Sequence, residues 1–273
     1  MSTVTVAGVT IPKLGLGTYK LEGETATTMV ARALDQGYRH IDTAVMYGNE
    51  EAVGAGLRAS SVPRDDVFVT TKVVPAEIAD GKLQRSAEGS LRRLGLDRLD
   101  LLLIHWPNPE VSVAESIGAL NDTLERGLTR AIGVSNYPVA LIEEAVAVTR
   151  NPLAVNQVEY HPLLDQTPVL DALRRHGMGL TAYSPLAQGR LADNQTLARI
   201  GAAHGVSAVQ AALAWLLAQD IVMAIPRTAN PDRLGENLAA LDIALTPAEM
   251  DELSALARPD GRLVDPAWAP EWD

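Results

Sequence analysis

Two hydrophobic patterns alternate along this chain. Short runs rich in leucine, isoleucine and valine each precede a longer segment whose apolar residues have helical spacing. The run at 99–104 is almost continuously apolar, which is typical of a strand buried on both faces. The predicted strands are 14–18, 39–42, 67–71, 99–104, 131–134, 155–158, 180–183 and 221–225.

Helical patterns follow these strands. Gly37 and Gly177 stand directly after two of the helical patterns, and Gly127 stands two residues after a third; glycine at such positions favours the end of a helix. Pro138 stands near the first turn of another. The predicted helices are 24–36, 50–58, 82–94, 113–125, 139–148, 169–176, 197–204, 208–217, 231–241 and 246–257.

Strands that alternate with helices predict an α/β fold with a parallel sheet. Eight such units across residues 14–241 favour a closed (β/α)8 barrel, the TIM-barrel architecture. The alternative is a doubly wound open sheet, whose first strand is followed by Gly-x-Gly-x-x-Gly. Gly15 and Gly17 lie within the first run and no third glycine follows at that spacing, which disfavours the open sheet.

The segment before the first unit predicts an N-terminal β-hairpin. Residues 4–6 and 9–11 are strand-like and flank Ala7-Gly8, so the hairpin could cap the bottom of the barrel. Residues 1–273 are predicted to form one domain, because α/β barrels reach about 250 residues without dividing.

Composition narrows the function classes. The chain has no cysteine, which excludes disulfides, zinc–cysteine sites and thiol catalysis and suits a reducing compartment. Residues 1–5 resemble no signal peptide, and the longest apolar run, 211–218, is too short to span a bilayer. The net charge of −11 disfavours nucleic acid and anionic membranes as partners. We therefore expect a cytoplasmic protein whose anionic ligands would need a local basic pocket.

Titratable residues follow three successive predicted strands. Asp42, with Tyr47 close behind it, ends the second strand, Lys72 ends the third, and His105 ends the fourth. Singly, each has an ordinary explanation: a turn-forming aspartate, a solvated lysine or a packed histidine. In a barrel, however, all four converge at the C-terminal ends of the strands, where such folds carry their active sites.

These four side chains could form a general acid. Tyrosine has a pKa of about 10, and a lysine ammonium beside the phenol would lower it. Asp42 would keep Lys72 charged, and His105 would position a substrate oxygen by a hydrogen bond. No side chain is a hydride source, so a reduction would need a cofactor.

Five motifs resemble the signatures of the aldo-keto reductase family. They are Gly37-Tyr38-Arg39-His40-Ile41-Asp42-Thr43-Ala44, Tyr47-Gly48-Asn49-Glu50, Thr70-Thr71-Lys72, His105-Trp106-Pro107 and Gly133-Val134-Ser135-Asn136. The resemblance covers essentially the whole chain. It implies a monomeric (β/α)8 barrel that reduces small carbonyl substrates with NADPH. It also implies that Tyr47 is the general acid, that Lys72 and Asp42 tune it, and that His105 orients the carbonyl.

The resemblance extends to the cofactor. It implies that Ser135, Asn136 and Gln157 hold the nicotinamide carboxamide and that Tyr183 stacks on the ring. The loop around the pyrophosphate would be Ser184 to Gly189, with Ser184, Leu186, Gln188 and Gly189 as its binding residues.

The adenosine 2′-phosphate site would contain Arg227, Thr228 and Arg233, with Glu236 and Asn237 beside the adenine. Arg227 stands where the family usually has lysine, and Thr228 where serine is common. Charge and hydroxyl are both kept, so we expect NADPH to be preferred over NADH. The alternative is a helix entry with solvated arginines.

The C-terminal segment, residues 260–273, contains two of the four tryptophans. We predict that it forms a C-terminal substrate loop that folds over the barrel and contributes Trp268 to the pocket. Tyr19 and Trp106 are further pocket candidates, and Val45 and Met46 could form apolar walls. The segment resembles the 2,5-diketo-D-gluconate reductase branch, B type, which is also linked to methylglyoxal.

Two other functions remain open. The barrel could be an NADPH-binding sensor without turnover, or a phosphate-binding isomerase. A metal site is not expected, since no two of His40, His161, His176 and His204 have ligand spacing with a carboxylate partner.

Overall fold

The structure, a computed structural model, describes residues 2–273 and begins with an antiparallel hairpin. Its strands are β1 (Thr3–Val6) and β2 (Val9–Pro12). Ala7 and Gly8 between them have φ of 47° and 76°, the left-handed backbone that a two-residue hairpin loop requires. The predicted hairpin is therefore confirmed.

Eight parallel strands follow, each hydrogen-bonded to its neighbours in chain order. They are β3 (Leu16–Gly17), β4 (His40–Asp42), β5 (Phe68–Val73), β6 (Leu99–Ile104), β7 (Thr129–Ser135), β8 (Leu153–Glu159), β9 (Gly179–Tyr183) and β10 (Val222–Ala224). The Gly15 amide donates to the Ala224 carbonyl at 2.9 Å, and the Ala224 amide donates to the Lys13 carbonyl at 2.8 Å. These bonds join the first and last barrel strands, and the predicted (β/α)8 fold is confirmed.

Helices surround the sheet. They are α1 (Gly23–Asp35), α2 (Glu50–Ala59), α3 (Lys82–Leu94), α4 (Val113–Glu125), α5 (Val139–Val148), α6 (Thr167–Arg175), α7 (Gln195–Ala203), α8 (Ala208–Ala218), α9 (Asp232–Ala239) and α10 (Pro247–Ser254). The bounds of α3, α4 and α5 match the prediction. The last predicted helix was too long: Thr246 caps α10 as its sequence suggests, but the helix ends at Ser254.

Two apolar layers stabilise this arrangement. The larger lies between the outer faces of the strands and the helices. The smaller lies inside the barrel, where Leu101, Leu103 and Met223 pack with Val4 and Ile11 of the hairpin. The hairpin therefore closes the N-terminal end of the barrel, as predicted, and leaves the C-terminal ends of the strands, here called the barrel mouth, for ligands.

Within residues 2–273, no single helix is long and apolar enough to span a membrane. Only α7 and α8 taken together pass that test, and their axes differ by 83°.

Candidate active site

The structure brings the four predicted catalytic side chains together at the barrel mouth. Asp42 is the last residue of β4, Lys72 lies in β5, and His105 directly follows β6. Tyr47 lies in a short 3-10 turn, Val45–Tyr47, after β4. The Lys72 Nζ lies 2.6 Å from Asp42 Oδ1 and 3.4 Å from the Tyr47 hydroxyl. The Tyr47 and His105 ring centres are 5.7 Å apart.

Lys72 and Asp42 form a buried ion pair. Their side chains are 0% and 1% exposed. Lys72 also donates to the Thr43 carbonyl at 2.8 Å, and Gln157 donates to the second carboxylate oxygen of Asp42 at 2.8 Å. Burial lowers the pKa of Lys72, while the Asp42 carboxylate raises it. The added hydrogen bonds are what a buried ion pair needs to offset the loss of water.

The expected lowering of the Tyr47 pKa is wrong for this structure. Burial raises the pKa of the Tyr47 phenol well above its usual value, and the Asp42 carboxylate raises it further. Lys72 does not reverse this shift, because its ammonium lies 2.6 Å from the Asp42 carboxylate but 3.4 Å from the Tyr47 hydroxyl. Tyr47 is therefore protonated at neutral pH.

His105 is a neutral imidazole. Burial, with a smaller contribution from Lys72, lowers its pKa to about 3. Within residues 2–273, neither of its ring nitrogens has a hydrogen-bond partner, and Nδ1 is buried. A neutral imidazole beside a phenol can therefore donate a hydrogen bond to a ligand oxygen.

A hydrogen-bonded chain joins the predicted nicotinamide residues to this site. Ser135 Oγ donates to the Gln157 carbonyl at 2.7 Å, and the Asn136 side-chain amide donates to the His105 carbonyl at 3.0 Å. The Tyr183 hydroxyl donates to Asn136 Oδ1 at 2.8 Å. All four predicted residues, Ser135, Asn136, Gln157 and Tyr183, thus lie beside the catalytic candidates.

The predicted pyrophosphate loop has an unusual backbone. Ser184, Ala187 and Gln188 have φ of 47°, 47° and 53°, and Gly189 has φ of 95°. Such left-handed conformations are uncommon for residues other than glycine and concentrate at ligand sites. Gln188 and Gly189 are exposed, whereas Ser184 and Leu186 are half-buried.

The predicted phosphate residues follow β10. Arg227 and Arg233 are exposed, and the Arg227 guanidinium donates to the carbonyls of Tyr19 and Lys20 at 3.2 and 3.0 Å. Thr228 is buried, and its hydroxyl already bonds to the Asn230 backbone. Farther along, Glu236 is exposed, while Asn237 is 4% exposed.

Aromatic side chains surround the mouth. The Tyr19 ring lies 5.1 Å from that of Tyr47, and Trp106 lies 5.0 Å from Trp268. Trp106 is buried, whereas Trp268 is 56% exposed. The half-buried Val45 and the exposed Met46 stand in the turn that carries Tyr47. The C-terminal segment therefore lies over the barrel mouth, as predicted.

Sequence reasoning missed three features. They are the bond from Gln157 to Asp42, the buried Glu159, and Trp272, whose ring lies 5.9 Å from Trp106. Gln157 and Glu159 stand two residues apart in a strand whose other residues, apart from Asn156, are apolar. Positions with that spacing share one face of a strand, a signal that could have indicated both.

The described residues contain no cluster of three or more histidines and carboxylates that could hold a metal.

Comparison with known proteins identifies the family. The model of the "Aldo/keto reductase family" matches residues 13–258. The chain belongs to this family. This aldo-keto reductase is therefore an oxidoreductase, and the resemblance in its sequence motifs is confirmed.

Several relatives match this aldo-keto reductase over nearly its full length. Methylglyoxal reductase DkgB of Salmonella typhi is 40% identical over 97% of this chain and 100% of its own. A crystal structure described provisionally as a 2,5-diketo-D-gluconic acid reductase B is 46% identical, covers 100% of this chain and 98% of its own, and has a TM-score of 0.98. A variant of Gox0644, solved in complex with NADPH, is 31% identical over 97% of this chain and 96% of its own, with a TM-score of 0.91.

Proposed function

We propose that this aldo-keto reductase uses NADPH to reduce small aldehydes, ketones and dicarbonyls to alcohols, with Tyr47 as the general acid. The observation that carries the proposal is the placement of the Tyr47 hydroxyl 3.4 Å from the buried Lys72–Asp42 pair and beside the neutral His105. Relatives named for methylglyoxal and 2,5-diketo-D-gluconic acid support dicarbonyls as the substrate class.

Each residue of the site has a separate role in the proposed reduction of the carbonyl group. His105 donates a hydrogen bond that orients the oxygen toward Tyr47. NADPH, when bound, supplies the hydride that reduces the carbonyl carbon. Tyr47 gives its phenolic proton to the oxygen as negative charge develops there, because an alkoxide is more basic than a phenolate. Lys72 then stabilises the phenolate, and Asp42 keeps Lys72 charged.

The residues around the mouth fit a phosphorylated dinucleotide. Tyr183 and the 184–189 loop lie at the end of β9, next to the catalytic candidates. Exposed Arg227 and Arg233 provide local positive charge in a chain whose net charge is −11. The NADPH complex of the Gox0644 variant supports this choice of cofactor.

The decisive experiment replaces Tyr47 with Phe. We expect turnover of methylglyoxal with NADPH to fall about 10²–10⁴-fold, the usual contribution of a general acid. The NADPH dissociation constant, measured by fluorescence titration, should stay within about twofold. The matched control is Tyr160→Phe, because the Tyr160 hydroxyl bonds to Gln219 instead of facing the site.

The same assay separates the other candidate functions. NADPH binding without turnover on any of methylglyoxal, 2,5-diketo-gluconate and aromatic aldehydes would indicate a sensor. Binding of sugar phosphates without NADPH would indicate an isomerase. Normal turnover by Tyr47→Phe would remove Tyr47 from the proposed mechanism.

A further inference from the structure

Glu159, the last residue of β8, is a fully buried carboxylate that the proposed mechanism does not use. Its Oε1 accepts hydrogen bonds from His161 Nε2 and the Leu263 amide, both at 2.9 Å. Its Oε2 accepts from the amides of Leu263 and Val264 at 3.1 and 2.8 Å. Among residues 2–273, no lysine or arginine nitrogen lies within 4.0 Å of it. Two backbone amides of the C-terminal segment are therefore principal partners of this buried charge.

The C-terminal segment depends on such contacts because it has little regular structure. Residues 261–273 form neither helix nor strand, so their backbone amides need partners elsewhere. Gly261 passes so close to the β8–α6 loop that a Cβ atom there would lie 1.8 Å from the Leu163 carbonyl oxygen. At the far end, the Asp273 carboxylate accepts from the Val139 amide at 2.9 Å. Glu159 thus holds the segment just after it crosses that loop.

The part of the segment between these anchors lies against the candidate substrate pocket. The Arg262 guanidinium stacks on the Trp272 ring at 3.9 Å. Trp268 and Trp272 pack against Trp106, the residue that follows His105. A shift of the segment at Glu159 would therefore move two aromatic side chains relative to the reacting carbonyl.

One strand connects these contacts to the catalytic centre. Gln157 bonds to Asp42, and Glu159, two residues later, bonds to the C-terminal segment. We propose that Glu159 is a positioning residue that sets the place of the C-terminal segment, and so of Trp268 and Trp272, relative to Tyr47 and His105. The consequence for substrate binding rests on the proposed function.

The first test is Glu159→Ala, assayed with phenylglyoxal, a dicarbonyl with an aromatic ring to contact the tryptophans. We expect KM to rise at least tenfold, with kcat and the NADPH dissociation constant within threefold of the unaltered protein. The matched control is Glu271→Ala, which removes an exposed carboxylate from the same segment. Unchanged KM in Glu159→Ala would overturn the proposal, and so would equal losses in kcat, KM and NADPH binding.

Two conservative variants separate hydrogen bonding from charge. In Glu159→Gln, the amide oxygen can accept from Leu263 and Val264, while the amide nitrogen donates to the other tautomer of His161. In Glu159→Asp, the charge remains but the carboxylate is one methylene too short to reach the segment. We expect the KM of Glu159→Gln to stay within threefold of the native value. The KM of Glu159→Asp should rise as much as that of Glu159→Ala. The reverse order would contradict the role of the hydrogen bonds, and this comparison stands even if the Ala variant fails to fold.

A readout without turnover separates this proposal from the proposed function. Three of the four tryptophans form one aromatic cluster, in which Trp268 and Trp272 of the segment contact Trp106. Glu159→Ala and Glu159→Asp should shift tryptophan emission to longer wavelength and speed amide exchange at residues 263 and 264. Native emission and exchange in both would overturn the positioning role. Lack of turnover in the unaltered chain would count against the proposed function alone.

Discussion

Lys72 is fully buried, with Asp42 at 2.6 Å and the Tyr47 hydroxyl at 3.4 Å. At the scale of residues, these distances affect the protonation state of Tyr47. The Asp42 carboxylate pairs with the Lys72 ammonium. Burial therefore remains the main influence on the Tyr47 pKa, which it raises, and the phenol stays protonated. Gln157 supports the other oxygen of Asp42 and so helps to hold the pair in one geometry.

Because His105 is buried, we expect the stability of the protein to depend on pH. Its folded pKa is about 3, below the ordinary value of 6.5, so it stays neutral in the folded protein while the unfolded chain takes up a proton. Its contribution to stability is therefore complete above pH 6.5 and is lost as the pH falls toward 3. At pH 5 one such histidine costs about 2 kcal/mol relative to neutral pH.

The measurement compares denaturant unfolding of the native protein and His105→Gln at pH 7.5 and pH 5. We expect the difference in unfolding free energy between the two pH values to be about 2 kcal/mol smaller in the variant. Buried His40, whose pKa burial also lowers, should maintain part of the pH dependence in both proteins. An equal pH dependence in the two proteins would mean that His105 is not held neutral.

At the scale of elements, the hairpin contributes to stability at one end of the barrel, and the strands carry the catalytic candidates at the other end. The β1–β2 hairpin fills the N-terminal end of the barrel, whereas the catalytic candidates lie at or just after the C-terminal ends of β4, β5 and β6. This separation of a packed end from a reactive end is general for such barrels. Substitutions in the hairpin should therefore affect folding without affecting chemistry.

Ile11→Ala tests that separation. Ile11 is 0% exposed and packs with Leu101 and Leu103, so we expect a loss of about 2–5 kcal/mol in unfolding free energy. The value of kcat/KM at 25 °C should stay within about twofold, because the site lies at the other end of the barrel. Thr3→Ala, at an exposed position of the same hairpin, is the control. A large loss of activity in folded Ile11→Ala would show that the two ends are coupled.

At the scale of the whole molecule, the negative net charge disfavours an anionic cofactor, so the proposed phosphate site depends on local positive charge. The chain carries −11, yet Arg227 and Arg233 are exposed together after β10. Arg227 also bonds to the carbonyls of Tyr19 and Lys20, whereas Arg233 has no ion pair or hydrogen bond from its guanidinium within residues 2–273. A substitution of Arg233 therefore tests the interaction with the cofactor phosphate without breaking other hydrogen bonds or ion pairs, unlike a substitution of Arg227.

Arg233→Ala should weaken NADPH binding about tenfold and leave NADH binding unchanged, since only NADPH carries the 2′-phosphate. The loss should shrink at high salt, which screens exposed charges. The measurement is the dissociation constant of each cofactor at two ionic strengths. Arg92→Ala, an exposed charge on α3, controls for net charge. Equal weakening of NADPH and NADH would contradict the assignment of Arg233 to the phosphate.

Periodicity predicted most elements because burial repeats at different intervals in strands and helices. It placed α3, α4 and α5 at their observed bounds. It was less accurate for β3, where 14–18 was predicted but only Leu16 and Gly17 form the strand, with Leu14 in an isolated bridge. Such pairing depends on the partner strands, which the local pattern does not contain.

The order of strand and helix patterns was enough to predict the barrel, and the motifs were enough to predict the family. The convergence of Asp42, Tyr47, Lys72 and His105 followed from the barrel, because residues at the ends of parallel strands meet at one end of the sheet. The three-dimensional arrangement was needed to show the protonation of Tyr47 and His105, the bond from Gln157 to Asp42, and the hydrogen bonds from the C-terminal segment to Glu159. These depend on burial and on distances between residues far apart in the chain, and neither quantity is contained in the spacing of a motif.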